Sequence, residues 1–261
     1  MAGETKIPGV APAAWLGLAF LYVPIAVVIF FSFNSGNLIT VWEGFGFDWY
    51  RSALQNDDLR RATINSLVVG AGATLASTLI ALMVALAMRG GKVTRRISQA
   101  SYTLMTLPLL IPEIVIAIAS MTFFAAVGLH LGLGNVLIAH IVFCIPFAYS
   151  PIRARIETIP PAMTEAAADL YATPWRTARH VTLPLLMPGI FSGAMLAFIT
   201  SIDDFIITQM VAPPGAMTLP VYIYSMVRRG ITPEINAISS LLLVVSMALV
   251  LTSYLLNQRK T

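Results

Sequence analysis

Six stretches of this chain, 12–33, 64–88, 100–127, 134–153, 189–211 and 237–257, are each about as long and as apolar as a membrane-crossing helix needs. No other feature narrows the possible folds so far, because a helix in lipid must satisfy its backbone groups within its own segment. The expectation is an all-α membrane protein with six transmembrane helices. The chain has 261 residues, 57% hydrophobic and 11% charged, whereas soluble domains carry about 25% charged residues. Little is left over for a separate soluble domain, so 1–261 reads as a single transmembrane domain. The first apolar run is long, only Lys6 precedes it, and no small-x-small cleavage site follows at 32–36, so it reads as a retained helix rather than a removed signal.

Six spans put both termini on one side. With that side cytoplasmic, Lys6, Arg89, Lys92, Arg95, Arg96, Arg153, Arg155, Arg176, Arg179, Arg259 and Lys260 lie inside, leaving only Arg51, Arg60, Arg61, Arg228 and Arg229 outside. The excess of inner cations predicts an N-in, C-in orientation. The formal net charge of +4 reflects this asymmetry and is no sign of nucleic-acid binding. Cys144 has no second cysteine to pair with and sits in an apolar run, as a buried inert thiol would. Small residues at Gly70, Ala71, Gly72, Ala73 and Ala76, and again at Gly193, Ala194 and Ala197, allow helix backbones to approach closely, within the chain or against another subunit.

The segment 157–184, between the fourth and fifth stretches, differs in kind. It holds Glu165, Asp169, Arg176, Arg179 and His180, charges too costly for lipid. Pro160 and Pro161 open one helix, and Thr173-Pro174 supplies an N-cap and first-turn proline for a second. The expectation is a water-side helix–turn–helix, an element that a membrane protein presents to a partner. "EAAADLYATPWRTARHVTLPLLMPGI" resembles the cytoplasmic EAA loop of bacterial ABC-importer permeases, through Glu165, Ala166, Ala167, Leu183 and Pro184. Tyr171 stands where that pattern has Gly, a residue that enters a left-handed turn without strain.

Three acids occupy apolar surroundings: Glu113, Asp203 and Asp204. On one continuous helix, Thr200, Ser201, Asp204 and Thr208 share an arc of about 100°, with Asp203 at its edge. Asp204 is then expected to face a path or cavity more directly than Asp203. The competing reading is that one or both cap backbone groups or pair with Arg228 or Arg229. Glu113 follows Pro108 and Pro112, which each remove a backbone donor and so break a helix. Freed carbonyls beside a carboxylate suit a cation. The competing reading is a simple proline kink near the outer interface. Acids without intramembrane Lys or Arg point to a pathway for positive charge. His140, alone near an apolar helix start, reads as a hydrogen-bonded structural residue rather than a ligand. No cluster at metal spacing, no catalytic motif and no Walker A sequence is present, so neither a metal nor a catalytic site is expected, and any ATP hydrolysis falls to another polypeptide.

"SIDDFIIT" and "TLPVYIYSMVRRGITPEINAISSLLLVVS" are similar to the polyamine (spermidine/putrescine) branch of these permeases, second-subunit type, and "FNSGNLITVWEGFGFDWY" fits it too. The resemblance implies a type I ABC importer permease in the bacterial inner membrane, with no cofactor of its own. It also implies a second, similar permease subunit, two cytoplasmic ATPases docked on the EAA loop through Glu165, Ala166, Ala167, Tyr171, Leu183 and Pro184, and a periplasmic binding protein. Substrate passes Glu113, Ser201, Asp203 and Asp204 on this reading. The helix beginning at Thr218-Leu219-Pro220 becomes part of the outer gate, and Thr232-Pro233-Glu234 opens the last helix. The rivals are a permease for another small amine or 4-aminobutyrate, and a proton-coupled secondary transporter.

Overall fold

The computed structural model describes residues 10–39, 41–89, 95–230 and 232–258. Of the residues used in the charge argument, Lys6, Lys92, Arg259 and Lys260 lie outside the described residues. Among the described residues twelve α-helices follow one another: α1 (Val10–Phe31), α2 (Asp48–Gln55), α3 (Asp57–Arg89), α4 (Arg95–Thr106), α5 (Glu113–Val127), α6 (Leu133–Glu157), α7 (Pro161–Asp169), α8 (Pro174–Thr177), α9 (Leu183–Asp203), α10 (Ile206–Val211), α11 (Leu219–Arg229) and α12 (Pro233–Gln258). The described residues contain no strand beyond an isolated antiparallel bridge between Asn34 and Phe45.

Among the described residues four stretches are helical, long and apolar enough to cross a membrane: Ala13–Phe31, Asp57–Arg89, Leu133–Glu157 and Pro174–Asp203. The third apolar stretch of the sequence is not one rod. Residues Arg96–Leu109 and Glu113–Val127 meet at 99°. Pro108 and Pro112 explain the break: neither can donate to a preceding carbonyl, and Pro112 is extended (φ −55°, ψ 133°) as it starts α5.

One compact unit comprises residues 61–222. Its axis is α6 packed against α9. Val136, Ala139, Cys144, Ala148, Tyr149 and Ile152 of α6 are buried, and they are spread around most of the helix circumference, as expected of a helix packed on several sides. The two backbones approach closely: a Cβ on Gly193 would strike the Ala148 carbonyl, and one on Gly189 would come within 2.6 Å of the Arg155 Cβ. Gly70 and Gly72 of α3 likewise receive Ile202 and Leu137. Cys144 is buried, its Sγ directed at the Ala197 carbonyl at 3.4 Å. Loop 212–218 is tied to α3 by Asn65, which donates to the carbonyls of Gly215 and Met217 at 3.2 and 3.0 Å, and the Leu219 amide donates to Ser66 at 2.8 Å.

The other unit comprises residues 1–60 and 223–261. Within it Glu234, at the start of α12, accepts from Asn56 at 3.2 Å and Ser52 at 3.4 Å at the end of α2. The loop after α1 is folded around Asn34, which bonds the carbonyls of Leu38 and Val41 and the amides of Gly36 and Glu43. An aromatic cluster of Phe33, Phe45, Phe47 and Tyr50 closes over that loop.

Candidate functional site

The helix carrying Ser201 and Asp203 stops at Asp203. Asp204 is extended (φ −62°, ψ 127°) and α10 starts two residues later. A single wheel through positions 200–208 therefore does not describe these side chains. Asp204 is buried, 4% exposed, whereas Asp203 is exposed. The physical reason is the break itself. Where a helix starts, its first amides have no helical acceptor. Asp204 supplies one: Oδ1 accepts from the Ile207 amide at 3.2 Å and Oδ2 from the Thr208 amide at 2.9 Å. The backbone-capping alternative thus describes Asp204.

Two side chains complete its shell. Thr208 Oγ1 lies 2.9 Å from Oδ2 and His140 Nε2 lies 3.0 Å from it. A carboxylate only accepts, so the ring carries its proton on Nε2. Nε2 is also 2.9 Å from Thr208 Oγ1, and Nδ1 is 2.8 Å from Ser201 Oγ. His140 is fully buried. Glu113, in the first turn of α5 and half-buried, lies within hydrogen-bonding reach of Asp204. The structure thus brings Glu113, Ser201 and Asp204 together, with Asp203 at the exposed edge, and adds His140 and Thr208. His140 had no local signal as a member of this group, because its partners are 61 and 68 residues away in sequence.

The second set of residues forms the helix–turn–helix. The chain leaves α7 through two hydrogen bonds, from the Tyr171 amide to the Ala168 carbonyl at 2.9 Å and from the Ala172 amide to the Ala167 carbonyl at 3.0 Å. This is a Schellman motif, which requires its residue after the cap to be left-handed. Tyr171 is that residue, with φ 54°. Tyr thus adopts the conformation Gly would take, at a cost of about 1–2 kcal/mol. Thr173 caps α8, accepting from the Arg176 amide at 3.4 Å. A π turn, Ala178–Thr182, leads into α9. Pro184 cannot donate to His180 and crowds its carbonyl, so the ladder shifts locally to wider spacing. Ala167 is buried and anchors α7, while Glu165, Ala166 and Pro184 are exposed and Leu183 is half-buried. Leu170 (82% exposed), Tyr171 (94%) and Trp175 (70%) form an apolar rim around the turn, and neither Leu170 nor Trp175 belongs to the motif residues that mark the segment in the sequence. Arg155 braces the base of this element, its Nε donating to the Leu185 carbonyl at 2.9 Å.

Apolar helices of membrane-spanning length thus carry a buried polar cluster at one helix break and an exposed helix–turn–helix. The chain belongs to the family of binding-protein-dependent transport system inner membrane components, which it matches over residues 77–259. It is 36% identical to the spermidine/putrescine transport system permease protein PotC of Escherichia coli K12, over 93% of this chain and 91% of that protein. The Haemophilus influenzae PotC is 34% identical over 92% and 93%. The putrescine transport system permease protein PotI of E. coli K12 is 36% identical over 87% and 83%. Among solved structures, a bacterial ABC transporter importing the acidic polysaccharide alginate superposes with a TM-score of 0.74 at 21% identity, covering 96% of this chain and 93% of that one. The MetNI methionine ABC transporter gives 0.62 at 22% identity, over 75% and 92%. At such identities the likeness is one of fold. The protein is a multi-pass membrane permease component rather than an enzyme.

Proposed function

We propose that this chain is one permease subunit of an ATP-driven importer of polyamines, putrescine or spermidine, in a bacterial inner membrane. The observation that carries the reading is the 34–36% identity, over nearly the whole chain, to permeases named for those two amines. On this reading six spans run N-in, C-in, with the bent α4–α5 pair counted as the third. The helix–turn–helix faces the cytoplasm. Glu165 and the rim of Leu170, Tyr171 and Trp175 enter a cleft on one of two ATPase subunits. A second, similar permease completes the path, and a periplasmic binding protein delivers substrate. ATP binding draws the ATPases together, and the paired permeases open outward.

The acids act on the cation. Asp203, exposed at the break, offers charge to an ammonium group directly, and Glu113 does so from the start of α5. Asp204 has its oxygens engaged by backbone and side-chain donors, so its role is to hold the break. Spaced carboxylates suit a flexible polycation, whose charges are separated by methylene chains. The helix–turn–helix also separates this reading from a proton-coupled carrier, which has acids to use but no role for a cytoplasmic docking element.

The decisive experiment reconstitutes the chain with its neighbouring permease, ATPases and binding protein in proteoliposomes. Labelled putrescine or spermidine should enter only with binding protein outside and ATP at the ATPases. Uptake driven by a proton gradient without ATP would overturn the reading. Preference for 4-aminobutyrate in the same assay would move the substrate to another small amine.

A further inference from the structure

We propose that His140 is the positioning residue that holds the broken fifth span in register, acting through Asp204. The inference rests on the transport reading above only for its uptake arm. A helix interrupted at membrane depth leaves amides that neither lipid nor the helix can satisfy. Here Asp204 takes the amides of Ile207 and Thr208. A buried carboxylate needs donors of its own, and His140 supplies one from a different helix, Nε2 to Oδ2 at 3.0 Å. The opposite ring nitrogen holds Ser201, three residues before the break, at 2.8 Å. One rigid, fully buried ring on α6 is thereby bonded to the last turn of α9 and to the first turn of α10.

The consequence reaches residues that His140 does not touch. Asp203 is covalently next to Asp204, and the Glu113 side chain lies beside it. Where the ring fixes Asp204, it also fixes the placement of both other acids. The groups facing the ring's neighbourhood are Asp204 and Glu113, with Asp203 near them and Cys144 one turn along α6. No Lys or Arg among the described residues takes part in these hydrogen bonds, so the imidazole is the only basic side chain bonded to Asp204.

The test uses the assembled transporter and three substitutions of His140, with Asp204→Asn and a double variant in its uptake arm. His140→Gln keeps an amide donor near the Nε2 position, His140→Asn keeps one near Nδ1 only, and His140→Leu keeps neither. Hydrogen exchange at the Ile207 and Thr208 amides should rise roughly tenfold in His140→Leu and His140→Asn, the range expected when a buried hydrogen-bond partner is removed. In His140→Gln it should stay within about threefold of wild type. This arm reads the break without any substrate, so it decides the inference even if the complex proves not to carry polyamines. Unchanged exchange in His140→Leu overturns it. In the uptake arm, His140→Leu and Asp204→Asn should each lower the maximal rate at equal amounts of assembled complex, and the double variant should be no slower than the slower single one. Losses that multiply, or His140→Gln failing as badly as His140→Leu, would mean that His140 does not act through Asp204. If His140→Leu does not assemble, the Gln and Asn pair decides by the same criteria.

Discussion

Two adjacent aspartates show how much one backbone torsion decides. Asp203 ends a helix and is exposed. Asp204, extended, turns back into the protein and caps the next helix. Their isosteric amides should therefore fail differently. Asp204→Asn replaces one accepting oxygen by a donor in a site already full of donors, and should destabilise the complex by about 1–3 kcal/mol, read as a lowered thermal midpoint. Asp203→Asn should leave stability within about 0.5 kcal/mol of wild type while uptake of a dication falls. Equal uptake by Asp203→Asn and wild type would remove that side chain from the path. Tyr171 makes a separate point. It holds φ 54°, where Gly carries no penalty, so Tyr171→Gly should raise stability by about 1 kcal/mol provided the exposed ring has no docking role. A drop in ATPase stimulation by the variant would show that the ring is part of the ATPase contact.

Among the elements, α7 is held by little of its own. It is nine residues long, buries Ala167 and presents Glu165 outward. Charge reversal there, Glu165→Lys, should leave insertion and folding intact and uncouple ATP hydrolysis from uptake, because the contact is remote from the polar break in span five. Copurification of the ATPase alongside the uptake rate checks this, and normal ATP-driven uptake would rule out the docking role. The α6–α9 pair is the opposite case. Gly193 faces the Ala148 carbonyl with no room for a methyl group. Backbone cannot yield as a side chain can, so Gly193→Ala should cost about 1–3 kcal/mol and lower the yield of folded protein in the membrane. A variant as stable as wild type would show that the two helices separate freely.

For the whole molecule, orientation follows from charge asymmetry, and reporter fusions at each terminus test it. Both termini should report the cytoplasm; a split result would require an odd number of spans. The helical membrane class was legible in the sequence, because apolar length is a property of the chain and lipid leaves the backbone few alternatives to a helix. The helix–turn–helix was equally legible, from the Pro160-Pro161 and Thr173-Pro174 signals that start α7 and α8.

What the sequence alone determined about this protein is local: which segments are apolar, where prolines forbid a continuous ladder, and which acids have no place in lipid. The course of the fifth span was decided elsewhere. Residues 200–208 hold two adjacent aspartates among apolar side chains, which mark a polar site but do not decide whether the helix breaks between Asp203 and Phe205. The donor ring of His140, brought in on α6 by packing along Gly189 and Gly193, makes an interrupted helix with a buried carboxylate tolerable in a place where an unsupported one would be too costly. That choice turned Asp204 inward and left Asp203 exposed, since long-range hydrogen-bond satisfaction is a property of the assembled fold and not of any stretch of chain.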